Sequence, residues 1–191
     1  MTFSAAAMTT GPACVALGYK NSRSVRKLVR VGWINTLGTV GRTLVLDPTD
    51  VASLAAMPIL ALPLTGALAG IVVSTDALSP DLQPGNGRPY AGWCHPNAVV
   101  PPMSAGDRVL AVSGWWGTGE ALACELDGLL FIQTTSGVVG DVSVIDGHRG
   151  HPFDPALIDF QLTPADPEVA ARYLGHRFAY PAGAAWKRLR V

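Results

Sequence analysis

A mainly β fold, an antiparallel sandwich or barrel with long loops and one or two short helices, is what this chain predicts, and three observations lead there. Turn signals recur about every 8 to 12 residues through its second half, the spacing of short strands. Apolar runs of strand length lie between them. The 21 Gly and 15 Pro punctuate a chain that is only 15% charged, against about 25% in an ordinary domain, so little charge is left to solvate long helix faces.

Three regions are expected. Residues 1–30 read as an N-terminal arm with a basic stretch. MTFSAAAMTTGPAC lacks the basic start and continuous apolar core of a secretion signal, so none is expected. Residues 20–30 (KNSRSVRKLVR) then carry five positive charges and no acid. They read as a solvated loop and strand edge whose cations discourage edge-to-edge pairing. A sharper reading makes them an arm, with Arg23, Arg26 and Lys27 as contacts, that docks on an acidic partner or nucleic acid.

Residues 31–163 read as the β-rich domain. Asp47-Pro48-Thr49-Asp50 starts a helix, with an Asp cap, Pro at the first helical position and an acid three residues after the cap. That helix takes residues 51–57 and stops near Pro58. Residues 59–64 and 69–74 follow as buried strands split by Thr65-Gly66. The 25 residues 51–75 carry no charge and have the length of a membrane span. Pro58, Pro63, Gly66 and Gly70 cut that run, and no Lys or Arg cluster flanks it, so no membrane is expected as a partner.

The Pro- and Gly-rich residues 79–102 read as a long ordered loop carrying Tyr90, Trp93, Cys94 and His95. Ser104-Ala105-Gly106-Asp107 reads as a turn launching 108–113, and the segment 114–119 as a glycine-framed turn before 121–125. Asp127-Gly128 and Ser136-Gly137 announce the strands 129–134 and 138–145. Residues 164–191 read as a C-terminal helix, opened around Thr163 and Asp166 and closed by Gly175, then a basic-aromatic docking tail with Trp186, Arg188 and Arg190. No repeat of fixed period occurs, which argues against a solenoid.

The 14 basic and 14 acidic residues balance, which removes the global positive field of non-specific nucleic-acid binding and leaves at most a local role. Cys14, Cys94 and Cys124 form no Cys-x-x-Cys and read as buried hydrophobes in a reducing compartment. No cofactor motif occurs, and neither a cofactor nor a small-molecule substrate is expected. The segment 144–150 falls one residue and a tyrosine short of the Val-Ile-Asp…Tyr-Arg-Gly element of trimeric dUTPases, and no nucleotide hydrolase follows from it.

These readings lead to a structural, self-associating subunit of a large assembly, a tailed-phage virion component of the head-decoration or tail and collar kind, made in the host cytoplasm. Its partners would be copies of itself and other subunits, met through Trp93, Trp115, Trp116, Trp186, Arg188, Arg190, Arg23, Arg26 and Lys27. The alternative is a small metal- or thiol-dependent hydrolase. Its loop would carry His148 and His151 with Asp146 and Asp154 as metal ligands, and Cys94 as a nucleophile paired with an imidazole. A third reading is a carbohydrate- or ligand-binding module built on Trp93, Trp115 and Trp116.

Overall fold

The computed structural model describes residues 8–60, 68–81, 88–98, 103–179 and 186–190. Those residues are about 36% strand and 30% helix and include no closed barrel. The architecture is therefore mixed α/β, with six helices among the described residues where one or two were expected.

The chain starts with β1 (Met8–Thr9), α1 (Thr10–Leu17) and α2 (Ser22–Arg30). These fold part of the stretch read as an arm. Gly18 ends α1 in the left-handed conformation (φ +71°), and the Asn21 side chain caps α2 by accepting from Arg23 N. A hairpin of β2 (Thr36–Val40) and β3 (Thr43–Leu46) follows, then α3 (Pro48–Ala56). Asp47 caps α3 through Thr49 N, as its sequence predicts, and Asp50 accepts from both the backbone N and Nδ2 of Asn35, tying α3 to the base of the hairpin. The small sheet runs β1-β3-β2 and is antiparallel. Ala13, Cys14, Leu17, Val25, Leu28, Ile34, Leu46, Val51 and Leu54 bury their side chains together, so residues 10–54 share one core.

The remainder builds a larger sheet. Its elements are β4 (Ile59–Leu60), β5 (Leu68–Ser74), β6 (Ser79–Pro80), β7 (Tyr90–Ala91), α4 (Ala105–Ser113), α5 (Glu120–Leu126), β8 (Leu130–Thr135), β9 (Val138–Gly150), β10 (Ile158–Pro164), α6 (Pro167–Ala171), β11 (Arg177–Phe178) and β12 (Trp186–Arg190). Strand order is β12-β5-β8-β9-β11-β4, with β10 pairing β9, while β6 and β7 pair separately. The sheet is mixed, because β5 lies parallel to β8 and β11 parallel to β4. A parallel pair needs a crossover connection, and the chain from β5 to β8 supplies α4 and α5 within it.

The sheet buries both faces. Ile71, Val73, Phe131, Ile145 and Phe160 pack beneath α4 and α5 with Val112, Ala123 and Leu126. On the other face Val72, Ile132, Val139, Val142, Phe178 and Leu189 make a second core. Alternation of inward residues along β5 and β8 fills both layers.

Several expectations change. Residues 108–113 and 121–125 are helical: Ser104 and Asp107 form a reciprocal capping box rather than a turn, and α5 starts directly after Gly119. The strand expected over 138–145 runs on to Gly150, so His148 sits in a strand and not a loop. β10 extends through Pro164, and α6 is capped by Asp166 instead of Thr163. The basic-aromatic tail is an edge strand, β12, paired antiparallel with β5. Parts of the 59–64 strand and of the 79–102 loop lie outside the described residues. No helix among the described residues is long and apolar enough to cross a membrane.

Candidate nucleic-acid interface

The helices α1 and α2 are joined by four residues, Gly18 to Asn21, which is the length and glycine usage of a helix-turn-helix. Alternation of apolar and basic residues decides which face of α2 is open. Val25 and Leu28 are fully buried, while Arg23, Arg26 and Arg30 are exposed. At 3.6 residues per turn the three arginines fall within an arc of roughly 60°. Arg23, Arg26 and Arg30 also line the cleft between α2 and the hairpin, with Ser22, Val29 and Leu44. Arg42 stands exposed at the hairpin turn, beside Gly41 with φ +60°. The Arg23, Arg26 and Arg42 side chains make no hydrogen bond or ion pair with any described residue.

The charge distribution is more telling than its total. Residues 1–46 hold six basic residues and no acid, whereas residues 47–191 hold eight basic and fourteen acidic, a formal +6 against −6. Regional charge, together with Gly18 and the Asn21 cap, is the signal that could have located this site from sequence.

The unit is anchored on the large sheet. Tyr19 Oη donates to Ser136 O (2.8 Å), and Ser136 Oγ donates to Ser24 O (3.0 Å), so the β8–β9 turn grips the α1–α2 pair. Burial pushes the Tyr19 hydroxyl up to about 12, against a smaller opposing pull from Arg177. The buried Arg177 donates to Leu17 O (3.1 Å) and Ala55 O (3.2 Å), closing the open ends of α1 and α3. The Trp33 and Trp93 rings stack at 5.7 Å, and His95 leans on Trp33 at 4.5 Å while its backbone N donates to Val31 O (2.7 Å). Desolvation lowers the His95 pKa, partly offset by Asp50.

Of the expected interface residues, Arg23, Arg26 and Lys27 do share α2. Trp93 is buried between Trp33 and Gly140 and is core. Trp116 is half-buried, donating Nε1 to Val112 O (3.1 Å) and packing on Phe131. Trp115, with φ +47°, lies against His151 (4.4 Å) and under Arg149. The three tryptophans therefore make no common platform. Arg188 is exposed on β12, which also carries Trp186 and Arg190.

The hydrolase constellation comes apart. His148 and His151 are three residues apart on extended chain, so their side chains diverge. The His148 ring faces Cys124 Sγ (3.8 Å) and Asp127 (3.5 Å), and His151 packs between Trp115 and Phe153. Asp146 is exposed, and Asp154 accepts from Ala156 N in its own turn. Among the described residues no group of three or more His, Cys, Asp or Glu is placed to hold a metal ion. Cys94 is buried, and desolvation raises its pKa, the opposite of what a nucleophile needs. Cys124 is exposed, not a buried hydrophobe, and sits in the last turn of α5.

The chain matches no protein-family model, no curated protein and no solved structure.

Proposed function

We propose that this chain binds duplex DNA through residues 8–46, with α2 as the reading helix. The observation that carries this reading is the row Arg23, Arg26 and Arg30 on the open face of the second helix of a helix-turn-helix, in a segment without a single acid. In that motif the second helix lies in the major groove with its N-terminal residues at base edges, and the first crosses the backbone. Arg23 and Arg26, in the first half of α2, are positioned for the bidentate Arg–guanine contact. Lys20 and Arg42 supply phosphate contacts around them. The acidic remainder keeps polyanions off the rest of the surface, confining contact to one face.

This reading replaces the virion-subunit one, which composition alone supports, and it makes the local nucleic-acid role the principal one. The test is anisotropy of labelled short duplexes, first a random pool and then sequences selected from it. Binding should weaken linearly in log K against log salt, with a slope near −0.9 per phosphate contact. Loss of binding in Arg23→Ala and Arg26→Ala, with melting temperature kept, supports the assignment. No binding to any duplex at about 50 mM salt would sink it.

A further inference from the structure

We infer that Asp76 sets the specificity of this interface by withholding two cations of α2 from phosphate, an inference that rests on the DNA-binding reading. Asp76 Oδ1 lies 2.9 Å from Lys27 Nζ and 3.8 Å from Arg30 Nη2. The carboxylate belongs to the large-sheet unit, just beyond β5, and reaches across to the flank of the arginine row.

Its position is built in. Trp93 N donates to Asp76 O (3.0 Å), and Thr75 N donates to Thr134 O (2.9 Å), so the backbone is held on both sides of Asp76. Gly92 lies flush against the same segment at φ +100°, where a Cβ would stand 2.6 Å from Ala77 O and 2.9 Å from Asp76 O. Trp93 in turn stacks on Trp33, three residues past the end of α2. The stack that seats α2 therefore also fixes the carboxylate facing it.

Stability does not account for such a device. The Asp76 side chain is 64% exposed, and solvated ion pairs contribute little to folding. Its effect on DNA is larger: a carboxylate at the rim repels phosphate, and a paired Lys27 has no free charge to release counterions. Weakening the sequence-blind term leaves a greater share of affinity to base contacts from Arg23 and Arg26, which is specificity gained by repulsion. Asp76 is thus a positioning and specificity residue that need not touch a base.

The experiment compares wild type, Asp76→Asn and Asp76→Asn/Lys27→Met, all full chain, on a random-sequence duplex and on the best duplex selected by wild type. Asp76→Asn should bind the random duplex about tenfold tighter at 50 mM salt, with a salt slope steeper by about 1 to 2. The preference for the selected duplex should shrink, and adding Lys27→Met should cancel most of the gain. Unchanged slope and affinity in Asp76→Asn with a native melting temperature overturn the inference while leaving DNA binding standing. A wild type that binds neither duplex overturns the DNA-binding reading and this inference together. If Asp76→Asn does not fold, Lys27→Met and Arg26→Met decide: a smaller loss on random duplex for Lys27→Met supports the withheld cation, and equal losses refute it.

Discussion

Several arginines of the sheet unit are tied into the fold, while those on the open face of the first unit are not. In the sheet unit Arg88 is buried against Asp81, Arg149 pairs with Asp159 (2.7 Å), and Arg177 donates Nη1 and Nη2 to the carbonyls of Leu17 and Ala55. In the first unit Arg23 and Arg26 of α2 and Arg42 of the hairpin turn are exposed and unpaired among the described residues. Arg88, Arg149 and Arg177 are tied into the fold, whereas Arg23, Arg26 and Arg42 are surplus to it. Charge that folding does not consume is the physical signature of a binding face.

The comparison can be broken by substitutions on either side. Phe131→Ala should have the largest effect on stability, about 3–5 kcal/mol, because the ring is fully buried against Trp116 and Phe160. Chemical denaturation measures it, and a loss below about 1 kcal/mol would mean that the sheet core is not the main source of stability. Arg177→Met should cost about 2–4 kcal/mol by orphaning the carbonyls of Leu17 and Ala55. Gly32→Ala comes next, at about 1–3 kcal/mol: the residue holds φ +85°, and its Cβ would stand 2.8 Å from that of Ala98. Its denaturation midpoint should fall, with Trp33 fluorescence reporting a loosened seat on Trp93. Arg23→Ala and Arg26→Ala should move stability by less than about 0.5 kcal/mol and yet weaken DNA binding by about 1–3 kcal/mol each. If they unfold the protein instead, the contrast between inward and outward arginines is wrong.

The smallest effect concerns pH. The His95 pKa is lowered in the fold from its ordinary 6.5, chiefly by desolvation against the tryptophans. Above the ordinary value the imidazole is neutral in both states and its contribution is fully present. As pH falls below 6.5 toward the lowered value, the unfolded chain takes up the proton first, and that contribution is lost. His95→Gln should flatten the stability profile over that window, read from denaturation midpoints at successive pH values.

Local chemistry made some of this fold readable. The Asp47-Pro48 start of α3, the apolar run of β5 and the Ser136-Gly137 turn each follow from a few adjacent residues. Helices α4 and α5 escaped because Gly106 and the run 114–119 look like turn chemistry, while their apolar faces are only two turns long. The length of β9 was masked by Gly147 and Gly150, which β10 accommodates by pairing and a register shift. Helix α2 was hidden differently: five charges drew attention from Val25 and Leu28, whose 3.6-residue period marks the buried side. The neutral total then concealed a segregated +6 and −6. The pairing of a cysteine with an imidazole needs long-range information, since any histidine partner for Cys94 had to come through the fold, which instead sets His148 beside Cys124.

Val138, from the start of β9, is one of the side chains closing the core of the first unit. Ribosomes make roughly 5–20 residues each second, so about 4 to 16 s separate the synthesis of α3 from that of the plug its hydrophobic interior awaits. During translation the α1–α3 unit therefore lacks one wall of its interior until most of the polypeptide has emerged.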